Sequence, residues 1–255
     1  MIELDLRGTV GTVTLNRPPV NGLNPEWVAR FTAVIDEIEA AGTVTVMRIR
    51  SAQRVFSVGA DLKFMSSRFE NAAGRSDIRQ FVDALQRLYA RLERLPLVSI
   101  AQIGGPAMGG GLELALSCDF RALAESASIG LPEVHIGLIP GAGGTQRLSR
   151  LAGLAVARRM ILTGVHMSAD EALRSRVCDW VVPESELDSE CERIAARLAS
   201  FPKETLAAGK LCLSAAYDQS RDGFREELDA TSLLLQQPAT HQRIHAFLVG
   251  SGRKA

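Results

Sequence analysis

The chain has no surplus of charge of either sign. Its 255 residues include 29 Lys and Arg against 29 Asp and Glu, so it has no general attraction for polyanions, and nucleic acid is not an expected partner. Cysteine is scarce: Cys118, Cys178, Cys191 and Cys212 are widely spaced, with no Cys-x-x-Cys pair. They read as reduced thiols rather than disulfide staples or metal ligands. His241 and His245 stand four residues apart, but no Glu-bearing zinc motif surrounds them, so a surface pair is expected and no metal. The opening Met-Ile-Glu-Leu-Asp-Leu-Arg-Gly lacks the basic-then-apolar order of a secretory signal, and no apolar run approaches a membrane span. The expectation is a cytoplasmic protein without membrane contact. No linker marks an independent second domain.

What is present is an ordinary globular composition, 46% hydrophobic and 23% charged, long enough for one large domain or a domain with an appendage. The organising stretch runs from Ile103 to Glu113, with five glycines in the eight positions from Gly104 to Gly111. Such glycines let a backbone approach a ligand closely, and the helix they introduce offers unpaired N–H groups at its start. Glu113, between Leu112 and Leu114, is an acid in the first turn of that helix, tolerated electrostatically but poorly solvated. Glycines placed only for tight packing are one competing reading, left for other segments to decide, and a nucleotide site is the other. The glycine spacing is not the dinucleotide fingerprint, however, and no Gly-Lys-Ser/Thr follows.

Periodicity supplies the frame. Ile2 to Leu6 and Thr9 to Leu15 alternate as paired strands do, and Asn24-Pro25 opens a helix that Gly42 stops. Thr43 to Arg50 is a strand, Ser66 to Ser76 reads as a mobile loop, and Asp77 starts a long helix ended by Pro96. Leu97 to Ile103, Asp119 to Ala124 and Ala127 to Gly130 read as further strands. From Thr145 onward the signals are nearly all helical, including a Ser168 to Glu171 capping box. The apolar faces of the last helices need a partner, either their own core or another subunit.

Two loops are candidate oxyanion donors: the backbone around Gly59, Ala60 and Asp61, and that around Gly109 and Gly110. Two converging N–H groups in a dry pocket are each worth roughly 3 kcal/mol to a developing enolate. Glu113 and Glu133, both in apolar or proline-bordered settings, are carboxylates able to activate water and carry a proton.

Four segments in order, 55 to 63 (Val-Phe-Ser-Val-Gly-Ala-Asp-Leu-Lys), 108 to 115 (Met-Gly-Gly-Gly-Leu-Glu-Leu-Ala), 131 to 134 (Leu-Pro-Glu-Val) and 139 to 148 (Ile-Pro-Gly-Ala-Gly-Gly-Thr-Gln-Arg-Leu), together resemble the enoyl-CoA hydratase/isomerase, or crotonase, family. The resemblance implies an α/β fold, a spiral of repeated strand-strand-helix turns over residues 1–195. A helical region, 196–255, would belong to the same structural unit and assemble trimers or hexamers. It implies an oxyanion hole from the Ala60 and Gly110 N–H groups, Glu113 activating water for attack on Cβ, and Glu133 exchanging the proton at Cα. Lys63 matches a position near CoA phosphates. Val58, Asp61 and Leu62 belong to the same CoA-contacting strand end, and Gly109, Pro132 and Gly141 are taken with them as substrate-binding positions. An acyl-CoA is implied as substrate, with no separate cofactor. Val58 departs from the alanine or cysteine usual at its position, and the ending around Lys254 lacks the family's charged cluster, so CoA contacts are not carried onto Lys254. Phe247 is a neighbour of the CoA adenine only if the last helix folds over the site. Because both acids are present, hydration of a trans-2-enoyl-CoA is the expected reaction. Double-bond isomerisation, dehydration of a specialised hydroxyacyl-CoA and a non-catalytic acyl-CoA-binding subunit are the alternatives.

Overall fold

The computed structural model describes residues 1–251; Lys254 lies outside the described residues. The chain opens with a hairpin, β1 (Ile2–Arg7) and β2 (Val10–Leu15), turned through Gly8 in the left-handed region. Helix α1 (Pro25–Ala41) starts and stops where its punctuation says: the Asn24 side chain accepts the Trp27 N–H, and Gly42 closes the end at φ 65°. Its buried stripe is Trp27, Phe31, Val34, Ile35 and Ile38, with Val28 beside them. Then come β3 (Val46–Ser51), α2 (Leu62–Ser66), α3 (Ala72–Arg94), β4 (Val98–Ile103), β5 (Ala107–Met108) and α4 (Gly110–Leu116). After these follow β6 (Phe120–Ala124), β7 (Ser128–Gly130), a 3-10 turn (Pro132–Ile136), α5 (Gly144–Thr163), β8 (His166–Ser168), α6 (Ala169–Arg174) and β9 (Trp180–Val182). Helices α7 (Leu187–Ala199), α8 (Lys203–Ser214), α9 (Gly223–Leu234) and α10 (Pro238–Ser251) complete the described chain.

The main sheet has the order β1-β2-β3-β4-β6-β9 and is parallel from β2 onward. A smaller sheet, β5-β7-β8, runs beside it. Parallel bridges between Leu23 and Ala60 and between Ser57 and Ala107 carry that second layer back through the earlier turns. Each turn therefore gives one strand to the main sheet, a short one to the second layer, and a helix, which is the expected spiral. β4 is buried at every position, as a parallel strand covered on both faces should be.

Two expectations need correction. Residues 66 to 76 are not one loop: α2 ends and α3 begins within them, five residues before Asp77, because the Asn71 side chain accepts the Gly74 N–H and caps the helix early. The small residue at Gly74 is there for close packing, since a Cβ on it would lie 2.3 Å from the Arg68 carbonyl oxygen. Nor is the chain after Thr145 wholly helical. β8 pairs antiparallel with β7 and β9 parallel with β6, three-residue strands too short to show a period of two. In the C-terminal region α8 and α9 bury no residue, and Phe224 is 84% exposed. Among the described residues no helix is long and apolar enough to cross a membrane.

Candidate active site

Glu113 sits one turn into α4, and its residue is 2% exposed. The helix can begin there because Gly109 takes φ 52° and ψ −128°, a conformation closed to other residues, and hands its carbonyl to the Glu113 N–H at 2.9 Å. The carboxylate is held from across the fold by the loop before α5. Its Oε1 accepts the Ala142 N–H at 2.8 Å and the Gly144 N–H at 2.7 Å. Oε2 accepts from none of the described residues and, unlike one oxygen of Glu133, is not a sealed orphan. Burial pushes the carboxyl up to about 7, with the negative Glu133 adding to the rise; the two N–H donors and Arg147 oppose it.

Glu133 is carried by the 3-10 turn, with Pro132 at its first position. Its carboxylate comes in over the glycine stretch: a Cβ on Gly109 would lie 2.9 Å from Glu133 Oε1. Oε2 is sealed from solvent with no hydrogen-bond partner, and burial raises the carboxyl above the usual range. A buried carboxyl oxygen without a donor is costly when charged and tolerable when protonated. Both acids thus reach the glycine stretch, close enough for the charge of Glu133 to act on Glu113, and in different environments.

The backbone donors lie beside them. Leu23 donates its N–H to the Gly59 carbonyl and accepts the Asp61 N–H, both at 2.8 Å, so the bridge between these strands leaves the Ala60 N–H pointing away from Leu23. Gly110 is the first residue of α4 and has no intrahelical acceptor. Neither N–H donates to a protein acceptor among the described residues. The two segments touch: Gly59 adopts φ 88°, and a Cβ on it would fall 2.8 Å from the Gly110 nitrogen. The Gly110 carbonyl on the other side is pinned by the fully buried Tyr89, whose hydroxyl donates at 2.9 Å.

The remaining predicted positions divide. Val58, Leu62 and Lys63 are exposed at the rim, Lys63 on α2. Asp61 is occupied structurally: Oδ2 pairs with Arg17 at 2.8 Å, while Oδ1 accepts the Lys63 and Phe64 N–H groups and caps α2. Hydrogen bonding to Arg17 is the main cause holding its carboxyl below the usual range. Gly141 belongs to the loop that grips Glu113, its carbonyl accepting from Gln86 Nε2 at 2.6 Å. Phe247 lies on α10 and is 76% exposed. Four residues that the sequence did not single out also shape the site: Ala142 and Gly144 through their N–H groups, Tyr89 through its hydroxyl, and Arg147 through the loop. The Gly-Ala-Gly-Gly run was visible, but its distance in sequence from Glu113 hid its role.

A family model described as enoyl-CoA hydratase/isomerase matches residues 5–248. A short-chain-enoyl-CoA hydratase of Clostridium acetobutylicum is 39% identical over 201 residues, 78% of this chain and 75% of its own. A 2,3-dehydroadipyl-CoA hydratase of Escherichia coli is 35% identical over 241 residues, covering 92% of this chain and 91% of its own. The crystal structure of an enoyl-CoA hydratase from Bacillus anthracis superposes with a TM-score of 0.90 at 32% identity, over 98% of this chain and 96% of that one.

Proposed function

From the premise that this chain belongs to the enoyl-CoA hydratase/isomerase family, we propose that it is an enoyl-CoA hydratase adding water reversibly to a trans-2-enoyl-CoA thioester. The observation that carries the reading is two desolvated carboxyl groups meeting beside two uncommitted backbone donors. The thioester carbonyl oxygen accepts the Ala60 and Gly110 N–H groups, which favour the enolate over the ground state because they are fixed before the charge develops. Glu113 Oε2 takes a proton from water as the oxygen forms its bond to Cβ, and the electron pair of the double bond moves onto the thioester. Protonated Glu133 then delivers its proton to Cα, and the enolate collapses to the 3-hydroxyacyl thioester. A base, an acid and two N–H donors supply every proton and charge the step needs, so no separate cofactor is invoked. Val58, Leu62 and Lys63 at the rim are the surface offered to the CoA moiety, with the Lys63 ammonium suited to a phosphate.

The test follows the loss of conjugated-thioester absorbance on mixing crotonyl-CoA with the protein, beside Glu113→Gln and Glu133→Gln. Loss of the band that requires both glutamates supports hydration. Turnover confined to a 3-enoyl-CoA, with crotonyl-CoA untouched, would move the reading to double-bond isomerisation.

A further inference from the structure

Arg147, on the first turns of α5, is not among the hydrogen-bond partners of Glu113, yet it bonds the loop that grips that acid. Its Nη1 donates to the Ala142 carbonyl at 2.9 Å, and its Nε and Nη2 clamp Glu93 Oε2 of α3 at 3.1 and 2.9 Å. The side chain is 10% exposed. It passes directly under Gly143, where a Cβ would lie 2.2 Å from Nη1 and where φ is 106°. The peptides on either side of Gly143 therefore cannot tilt without breaking the Arg147 bond or meeting the guanidinium. The Gly143–Gly144 peptide sends the Gly144 N–H to Glu113 Oε1, and the Gly141–Ala142 peptide, joined to this pair through Ala142, sends the other N–H.

We propose that Arg147 is a positioning residue for the water-activating acid. Braced by Glu93, it fixes the Ala142 to Gly144 loop so that Glu113 Oε1 stays doubly hydrogen-bonded and Oε2 alone faces the substrate. The proposal rests on the assignment of Glu113 as that acid. The groups facing Glu113 from the elements around it are Glu133 from the 3-10 turn, Arg147 from α5 and the Tyr89 phenol from α3. Among these Arg147 is the one cation, and its charge acts on Glu113 in the same direction as its hydrogen bond: both favour the ionised base. Losing the side chain removes the cation and frees the two N–H donors together, whereas losing Glu93 removes only the brace.

The experiment compares Arg147→Gln, Arg147→Lys and Glu93→Gln with the parent protein. The carboxyl of Glu113 is titrated by carbon-13 NMR, with the resonance assigned by its loss in Glu113→Gln. Crotonyl-CoA turnover is followed against pH in the same samples, and thermal unfolding reports whether each variant is folded. Arg147→Gln is expected to move the Glu113 titration upward and lower kcat about tenfold near neutrality with KM little changed. Arg147→Lys, which restores charge without the fork, should recover part of the titration shift and less of kcat. Glu93→Gln should move kcat in the same direction by a smaller factor. A folded Arg147→Gln whose Glu113 titration is unmoved overturns the proposal, even if activity has fallen. Because the titration needs no turnover, it also separates this proposal from the hydratase assignment. A parent protein inactive on crotonyl-CoA, with the shift still present, condemns the reaction and leaves the positioning role standing.

Discussion

Helix α4 and the 3-10 turn each present one carboxyl group to the same site, and they do so by opposite means. Glu113 is enclosed by regular structure and gripped on one oxygen by two N–H groups from a distant loop. Glu133 projects from a five-residue turn that buries no residue, with one oxygen sealed and unpaired. Both carboxyls are raised by burial, but the first keeps donors that stabilise its anion and the second has none on its buried oxygen. The proposed division of labour rests on orientation: two donors on Oε1 hold Glu113 with Oε2 toward the substrate as base, and Glu133 carries the proton for Cα.

The largest expected effect tests that division. Glu113→Gln and Glu133→Gln should each lower kcat on crotonyl-CoA by about 10³-fold or more, because neither amide can accept or deliver the proton. Steady-state rates at pH 8 decide it. A Glu133→Gln enzyme within tenfold of the parent would make Glu113 the only working acid and dissolve the comparison.

Stability should separate the two more sharply than activity does. The folded Glu113 carboxyl is held at about 7 against 4.5 for an unperturbed group, so the native state binds that proton more tightly than the unfolded chain. Stability is then lost as pH rises from about 4.5 to about 7 and is flat above, a cost on the order of 3 kcal/mol by linkage. Glu113→Gln keeps an oxygen for the Ala142 and Gly144 N–H groups and removes the charge. Urea unfolding should show it about 2 kcal/mol more stable than the parent at pH 8, with the gain gone near pH 4.5. An unchanged midpoint at pH 8 would mean that the folded Glu113 carboxyl titrates near its ordinary value.

How much of this could be read from the chain differs between the same two regions. Glu113 was legible because its surroundings are local: glycines, then an acid among leucines, then a helix. Its electrostatics were not, since the N–H groups that hold it come 29 and 31 residues later. Glu133 was placed through its Leu-Pro-Glu-Val setting and the family resemblance, while the sealed oxygen depends on packing that no spacing shows. The spiral was implied by the family resemblance, and its elements followed from strand and helix signals where they were long, as in α1 and β4. Those signals were lost at β8 and β9, three residues each, and at α3, where the Asn71 cap outweighed the apparent loop composition.

A smaller effect comes from crowding the gripped acid. A methyl added at Gly144 would lie 3.0 Å from Glu113 Oε1 and 2.9 Å from the Pro140 Cβ. Glu113 is hydrogen-bonded in place and cannot swing aside, so Gly144→Ala should cost about 1–3 kcal/mol of stability through overpacking and about tenfold in kcat. Calorimetry and steady-state kinetics on one preparation would show both. Gly42→Ala is the control: its glycine closes α1, at φ 65° with no atom within 4 Å of the added carbon. It should lose stability through backbone strain and leave kcat unchanged.

The smallest effect is the most direct evidence that the two carboxyls share one field. The negative charge of Glu133 is among the causes that raise Glu113, after burial and alongside the opposing N–H donors. Glu133→Gln deletes that charge and leaves the desolvation of Glu113 in place. The Glu113 carboxyl should therefore titrate below its parent value of about 7, but stay above 4.5 because burial remains the larger cause. Carbon-13 NMR of the glutamate carboxyls reads the shift without any turnover. The downward direction is the essential result: the two acids share a proton, the reaction uses the microstate with Glu113 ionised and Glu133 protonated, and an upward shift would mean that the Glu133 O–H supports the Glu113 anion more than its charge opposes it. An unmoved titration would place the two acids too far apart to pass charge between them, and the division of labour would rest on each environment separately.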